Sequence, residues 1–567
     1  MHYFRIVPEY WDDRSYKLKA LGCMTVETQV PWNMHVPKAI EFHFEGMADR
    51  NEQIFLAQKN GLKVILRPPA YICAEWEFHG LPKWLCKYKS LVIRSNDPAF
   101  LNKVENFYKV LLPKFTKLLY QNGGPWIMNE VENEYGSFGN DKAYVDFFKK
   151  QYEDLGLTTF LFTSDGPEAI EQGSLDDVFD TGNFGSRSDE NFNELDAFKK
   201  DSPKMPMEFW RGWFNRWSGE THRRDGELVA SVIKEDQEKR ASVNFYMFPG
   251  GTNFDSMNGA MREPIYYPTG KSYDYPRLLT EGGAITSKYY AVKEALKEVC
   301  EDPEDFEPSM FEKAYGPQKL NRKVSLFDVL EDINEKRIHI LPLSMEDIDQ
   351  QYGYILYRTP WTRRKELKVP QKDSADRVFI YINGQLVDTQ YIDDEERMLS
   401  LDFTTEENTL DTLVENMGRK NYGARYTSDK GPVSNLWIGI HKQFNWDMYA
   451  LELENLDESY GAQEDPRFPS FYRYSFDVQE LLDTYVDTSK LTKGEVFLNG
   501  FNLGLRYMTA GPTQYLYIPG PLLKKGVAAE IYEAENNLIV LELEYTTRDQ
   551  EQLPDQEYFR IVPEKLS

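Results

Sequence analysis

Cysteine is scarce in this chain. Cys23, Cys73, Cys86 and Cys300 are the only four among 567 residues, and no two stand in C-x-x-C spacing. A zinc cluster or a disulfide framework is therefore not expected, and a reducing compartment is compatible. Long apolar runs are missing too. No stretch reaches the roughly eighteen residues that a membrane-spanning helix needs. The opening residues, M-H-Y-F-R-I-V-P-E-Y-W, lack the basic leader and apolar core of a secretory signal, so a cytoplasmic location is expected. Positive charge is in deficit. Lys plus Arg number 66 against 92 Asp plus Glu, a formal net charge of -26. Such a surface repels phosphate backbones, so nucleic acid is not an expected partner. Aromatic residues, by contrast, make up 14% of the chain, which suits both core packing and stacking on sugar rings.

The length calls for more than one domain. Up to about residue 300, strand-like apolar runs alternate with amphipathic stretches. Strands are expected at 2–6, 25–30, 64–67, 126–131, 159–163, 178–181, 206–209 and 243–248, with helices such as 51–60 and 98–119 between them. Asp49 and Asn51 are available as caps for the first helix and Gly61 as its stop. Strands joined by helical crossovers predict an α/β (β/α)8 barrel, whose active site lies at the C-terminal strand ends. Arg67, Glu134, Asp165, Asn183, Glu208 and Asn253 fall there. Beyond Cys300 a charged, proline-containing stretch leads into short strands and turns. Asn383-Gly384 and Asn499-Gly500 each follow a β-rich run, the signature of a tight hairpin. The expected plan is a catalytic barrel at 1–300, a linker at 301–343, and β-sandwich domains at 344–455 and 456–567. One oddity stands outside this plan. The heptapeptide Y-F-R-I-V-P-E occurs at 3–9 and again at 558–564, where a surface tail is expected.

The chemistry concentrates in two stretches. W-I-M-N-E-V-E-N-E-Y-G (126–136) is an apolar strand ending in Glu130, Glu132 and Glu134. Alone it reads equally well as a solvated strand end. M-P-M-E-F-W (205–210) repeats the grammar with Glu208. Two carboxylates on different barrel strands are what glycoside hydrolysis needs, one to protonate the leaving oxygen and one to attack or to activate water. Glu134 is assigned as the acid, with Glu130 and Glu132 adding negative potential, and Glu208 as the nucleophile. Asn133 is placed to meet the sugar 2-hydroxyl. I-C-A-E-W-E-F (72–78) alternates acids and aromatics, as a sugar with polar edges and an apolar face requires. Glu75 and Glu77 could equally sit in a solvated loop. Trp210 and Trp213 are expected to face the sugar, although interdomain packing is the competing reading for them and for Trp76 and Trp217. Asn253 and Tyr275 either line a pocket or fix a turn.

The segments V-E-N-E-Y-G-S (131–137), E-F-W-R-G-W-F-N-R-W (208–217), I-C-A-E-W-E-F (72–78), E-T-Q-V-P-W-N-M-H (27–35), N-F-Y-M-F-P-G-G-T-N-F (244–254), S-Y-D-Y (272–275), V-E-N-M-G-R-K-N-Y-G (414–423) and F-L-N-G-F-N-L-G (497–504) run in order along nearly the whole chain. Together they closely resemble the β-galactosidases of glycoside hydrolase family 35, most nearly the intracellular bacterial branch, whose members often prefer β-1,3 linkages. The resemblance implies a (β/α)8 TIM barrel followed by jelly-roll β-sandwich domains. It implies exo-cleavage of terminal β-galactose with retention, and no metal or cofactor. Glu134 falls on the family's acid/base and Glu208 on its nucleophile; Ala74, Glu75, Asn133 and Tyr275 match galactose contacts. The implied partner is a galactoside oligosaccharide, and the sequence is also compatible with a homodimer. Departures from the pattern are Gln29 for a sugar-contacting Tyr, Glu130 for Gln, Arg211 for a small or acidic residue, His79 for Gly, and Pro69-Ala70 and Pro276. The family also begins its first strand before the position of Met1, which predicts an open strand edge. Two other readings stand beside the leading one: a galactose-binding protein without turnover, and an enzyme of the same fold acting on another sugar such as glucosamine.

Overall fold

The computed structural model describes the chain except residues 223, 263, 274–276, 298, 301–311, 363–365, 370–374, 396, 401–404, 424–428, 432–436, 439–440, 454–455, 457–466, 490, 512, 527–535, 544–557 and 563–567. Seven strands form one parallel sheet in which spatial order follows chain order. They are β1 (Thr25–Gln29), β2 (Lys63–Arg67), β3 (Trp126–Asn133), β4 (Phe160–Asp165), β5 (Phe179–Phe184), β6 (Pro206–Trp210) and β7 (Phe245–Tyr246). Helical crossovers between sequential parallel neighbours give the (β/α)8 type of barrel. Local chemistry sets the helix boundaries. Asp49, Asp97, Asp141 and Asp225 cap helices Arg50–Lys59, Pro98–Leu111, Lys142–Asp154 and Gly226–Glu238, each accepting from a backbone N–H inside its first turn. The helix expected to run to 119 ends at Leu111 and tightens into a 3-10 turn, Leu112–Leu118. Pro113 is the cause, since it has no N–H to continue the α ladder.

The strand expected at 2–6 is not one. Tyr3–Arg5 is a 3-10 turn, closed by Arg5 N–H to the His2 carbonyl at 3.2 Å and Ile6 N–H to the Tyr3 carbonyl at 3.1 Å. A strand would alternate its side chains between two faces. The turn instead buries Tyr3, Phe4 and Arg5 in succession. Arg5 Nε donates to Asn253 Oδ1 at 2.8 Å, and its guanidinium lies 3.8 Å from the Tyr273 ring centre. The segment still fills the opening between β1 and the loop after β7. The Met1 amine donates to the Glu27 carbonyl at 2.7 Å, and Thr252 N–H donates to the Arg5 carbonyl at 3.0 Å.

The rest of the chain is almost entirely β. Among the described residues it forms sheets of six, four and eight strands. Both Asn-Gly pairs make tight hairpins with left-handed backbone, φ 53° and 74° at Asn383-Gly384 and φ 53° and 84° at Asn499-Gly500. The 301–343 stretch, expected as a linker, holds strand Gly316–Ser325, helix Leu326–Ile333 and strand Lys336–His339. The first of these strands lies inside the eight-stranded sheet beside Ser470–Phe476, so the last sheet begins before the six-stranded one is built. The expected surface tail is also corrected. Tyr558–Val562 is an interior strand of the same sheet, between Gly316–Ser325 and Thr484–Asp487. Among the described residues no helix is long and apolar enough to cross a membrane.

The loop after strand Glu407–Glu415 locks the first β region to the barrel. Arg419 Nη1 donates to Glu77 Oε1 at 2.6 Å and to the Gln351 carbonyl at 3.0 Å, and Nε donates to Glu346 Oε1 at 3.0 Å. Arg419 N–H reaches the second oxygen of Glu77 at 2.5 Å. Glu77 is thus neither a sugar ligand nor a solvated loop residue but half of a buried junction. Trp217 is likewise buried, packed with Met417 and Tyr507 across domains.

Candidate active site

Strand β3 ends in a conformational break. Glu134 has φ 50°, the left-handed region that non-glycine residues avoid, and its N–H donates to the Ser164 carbonyl of β4 at 2.8 Å. That break takes Glu134 out of the strand's alternation and presents its carboxyl to a cavity of about 220 Å³. Glu208, on β6, enters the same cavity. The opposite wall is the loop after β2, where Cys73, Ala74 and Glu75 have φ of 51°, 56° and 47° in succession. Three left-handed residues in a row bring all of them to the pocket. Trp210 and Trp213 meet edge to face, ring centres 5.4 Å apart, and complete the aromatic side with Phe214 and Tyr246.

The two catalytic-type carboxyls are held differently. Glu208 Oε1 accepts from Arg67 Nη2 at 2.8 Å and Oε2 from Trp210 Nε1 at 3.1 Å. Glu134 Oε1 accepts from Asn183 Nδ2 at 3.1 Å, and Asn183 is itself oriented by the Ser164 hydroxyl at 2.7 Å. Burial, then the negative charge of Glu208, push the Glu134 carboxyl up to about 8, with Asp165 adding to the rise and Asn183 and Arg67 opposing it. At neutral pH the group therefore keeps its proton. Glu75, pushed up to about 7 by burial, accepts from the Tyr273 hydroxyl.

The expected help from Glu130 and Glu132 takes another form. Glu132 is gripped by Arg94, Nε to Oε1 at 2.9 Å and Nη2 to Oε2 at 2.8 Å, and by the Tyr144 hydroxyl at 3.0 Å. Its charge is compensated by Arg94, and Glu208 and Asp165 supply the negative potential at Glu134. Glu130 lies 2.9 Å from Arg67 Nη2, the same nitrogen that serves Glu208, while Glu27 lies 3.5 Å from Nη1. One guanidinium thus faces three buried carboxyls. Burial pushes Glu130 up to about 8, against the pull of Arg67.

Of the sequence-predicted residues, Ala74, Glu75, Glu134, Glu208, Trp210 and Trp213 line the cavity. Asn133 and Gln29 do not. Asn133 Oδ1 accepts from Arg67 and its Nδ2 is buried without a partner among the described residues. The Gln29 side chain is fully buried, with neither amide atom hydrogen-bonded among the described residues. Tyr275 lies outside the described residues. Sequence reasoning had not singled out Phe214, Tyr246, Met261 or Tyr422, which also line the cavity. Tyr422 comes from the β region, more than 100 residues past the barrel in a V-E-N-M-G-R-K-N-Y-G stretch (414–423) whose motif was visible but whose destination was not. Among the described residues no three His, Cys, Asp or Glu side chains converge as a metal cage.

A (β/α)8-type barrel with one protonated carboxyl and one arginine-held carboxyl sharing a sugar-sized, aromatic-walled pocket defines a glycoside hydrolase. The chain belongs to the glycosyl hydrolases of family 35, whose family model matches residues 1–299. The β-galactosidase first all-beta domain matches residues 342–452 and the β-galactosidase galactose-binding domain residues 469–528. The chain is 36% identical to a β-galactosidase of Felis catus over 586 residues, covering 96% of this chain and 85% of that one. It is 36% identical to a β-galactosidase of Homo sapiens, covering 96% and 84%. Beta-galactosidase 17 of Arabidopsis thaliana is 35% identical, again over 96% of this chain and 84% of that one.

Proposed function

We propose that this enzyme is a retaining exo-β-galactosidase releasing terminal non-reducing β-D-galactose from oligosaccharides, with Glu134 as acid/base and Glu208 as nucleophile. The observation that carries the reading is the pairing in one pocket of a carboxyl held protonated by burial and then by its neighbour's charge, and that neighbour, fixed by Arg67 and Trp210. Glu134 gives its proton to the leaving oxygen as Glu208 attacks the anomeric carbon from the other face. Loss of the Glu208 charge in the glycosyl-enzyme removes the part of the rise that repulsion added to burial, so the Glu134 pKa falls and it becomes the base that activates water. The aromatic walls suit the apolar face of the sugar, and Glu75 its hydroxyls. The placing of Asn133 at the 2-hydroxyl rests on family resemblance alone, since its side chain lies behind the cavity wall. The small enclosed pocket favours a single terminal sugar. A preference for β-1,3 linkages and the roles of Gln29 and Tyr275 belong to the same proposal by family resemblance. Four free cysteines support a reducing, cytoplasmic setting.

Two substitutions test the roles. With Glu134→Ala, azide is expected to restore turnover of a nitrophenyl galactoside and to yield the β-galactosyl azide. With Glu208→Ala, azide rescue would yield the α-azide, because the anion then replaces the missing nucleophile. Exchange of these two outcomes reverses the assignment, and full activity in both variants sinks it. A panel of nitrophenyl glycosides separates galactose from another sugar such as glucosamine.

A further inference from the structure

A second, more open hollow of about 560 Å³ adjoins the catalytic pocket and shares Trp210 and Trp213 with it. Asn183, the donor to Glu134, also stands in its wall, so the two spaces meet on the side of the acid. The proton of Glu134 goes to the leaving oxygen, and what occupies this side is therefore the sugar that departs. The loops after β4, β5 and β6 build the hollow. Two guanidiniums face it, Arg187 and Arg224, against one carboxylate, Glu168.

Arg224 is the unusual one. It is half-buried, and Nη1 donates to the Trp210 carbonyl at 2.6 Å. No described carboxylate pairs with it, and desolvation alone acts on its pKa, downward. Arg187 is exposed and already paired with Glu190 at 3.3 Å. Elsewhere buried arginines grip an acid, as Arg94, Arg419 and Arg506 do, or lie over a ring face, as Arg5 and Arg50 do. In a chain with 92 acidic residues against 66 basic ones, an uncovered, half-desolvated guanidinium beside the leaving group calls for an anion from outside. Its remaining Nε and Nη2 donors form the flat fork that matches a carboxylate or sulfate.

We propose that this hollow is a subsite for the departing sugar and that it selects one bearing an anionic substituent, a uronic carboxylate or a sulfate ester, through Arg224. The proposal rests on the galactosidase reading above. It is tested by comparing kcat/KM for galactosyl-glucose, galactosyl-glucuronate and galactosyl-glucose 6-sulfate. The wild type is expected to favour the anionic substrates by about tenfold at low salt, with the advantage shrinking as ionic strength rises. An advantage confined to one of the two identifies which anion is meant. Arg224→Gln removes the advantage while keeping nitrophenyl galactoside hydrolysis within about twofold; Arg224→Lys, a charge-preserving control should the first variant misfold, retains part of it. No advantage in the wild type overturns the proposal. So does an equal loss on neutral and anionic substrates in Arg224→Gln, which would leave Arg224 a mere prop for the Trp210 carbonyl. Calorimetric titration with glucose 6-sulfate and glucuronate reads the hollow without turnover. Binding abolished by Arg224→Gln sustains the subsite even if β-galactosides prove not to be the substrates, and absence of wild-type binding to either sugar counts against it.

Discussion

Two arginines sit at the centre of buried acid clusters, Arg67 under the catalytic pocket and Arg419 at the junction of barrel and β region. At the junction the accounts balance. Arg419 donates from Nε, Nη1, Nη2 and its backbone N–H, and both oxygens of Glu77 are satisfied. Beneath the pocket they do not. Arg67 faces Glu27, Glu130 and Glu208 together, with Glu130 and Glu208 crowded on one nitrogen, Nη2, and Glu27 no nearer than 3.5 Å to Nη1, while its Nε lacks a hydrogen bond among the described residues. The Gln29 amide and Asn133 Nδ2 are further groups there without a hydrogen bond among the described residues. Buried polar groups left short of partners are costly, and a fold tolerates them where chemistry needs unsatisfied charge. On the proposed assignment, the contrast separates a cluster that fastens from one that works.

The sharpest break of this comparison is Glu208→Ala. With Glu208 as the proposed nucleophile, turnover of a nitrophenyl galactoside is expected to fall about 10⁵-fold, because no covalent intermediate can form. The melting temperature should hold or rise, since one of three crowded carboxyls is gone. A large drop in melting temperature would make the pocket cluster a fastening one after all.

The next effect lies at the junction. Arg419→Gln leaves Glu77 and Glu346 buried without their cation, a loss of about 3–5 kcal/mol that urea denaturation would read. Among molecules still folded, kcat should stay within about tenfold of wild type. Arg67→Gln should show the reverse emphasis, with kcat lower by about 10²-fold or more because Glu208 loses its anchor. If both variants lose stability and kcat alike, the two clusters are not different in kind.

The pH–rate profile is a finer probe. With Glu134 as acid, kcat/KM should decline through a basic limb near pH 8, where the free enzyme loses that proton. Asn183 lowers this pKa by donating to the carboxylate. Asn183→Ala should therefore move the limb upward by several tenths of a unit. A limb that moves downward would mean another group controls it.

The smallest effect concerns Glu130. Its folded carboxyl is raised to about 8 from the ordinary glutamate value of 4.5. Between those values the folded state holds a proton that the unfolded chain has released, so this group lowers stability as pH rises through the window. Glu130→Gln should flatten the decline of melting temperature from pH 5 to 8, with little change at the acid end. An unchanged slope would show that Glu130 does not carry the proton.

The barrel was legible because parallel strands and their crossover helices leave strong local marks: apolar runs, aspartate caps and glycine stops. Both glutamates could be singled out because the same pattern, a carboxylate closing an apolar strand, recurs on two strands, and one cavity brings them together. The two Asn-Gly hairpins announced themselves through residues that tolerate left-handed backbone. Asn183 was visible as a strand-end residue, but nothing local says that it will turn toward Glu134. The pairing of Arg67 with three acids spread over β1, β3 and β6 is equally silent in sequence, because it depends on register between strands up to 181 positions apart, Glu27 to Glu208.

The repeated heptapeptide marks the limit most plainly. The sequence by itself determined two identical segments, apolar and aromatic enough to be buried. It did not determine their conformation. At Tyr3–Arg5 the chain turns, because Arg5 finds Asn253 and the Tyr273 ring, and the barrel interior takes three consecutive side chains. At Tyr558–Val562 the same letters run extended, because two sheet edges, Gly316–Ser325 and Thr484–Asp487, stand ready on either side to receive backbone hydrogen bonds. Local preference leaves turn and strand close in free energy, so the partners that tertiary structure supplies decide between them.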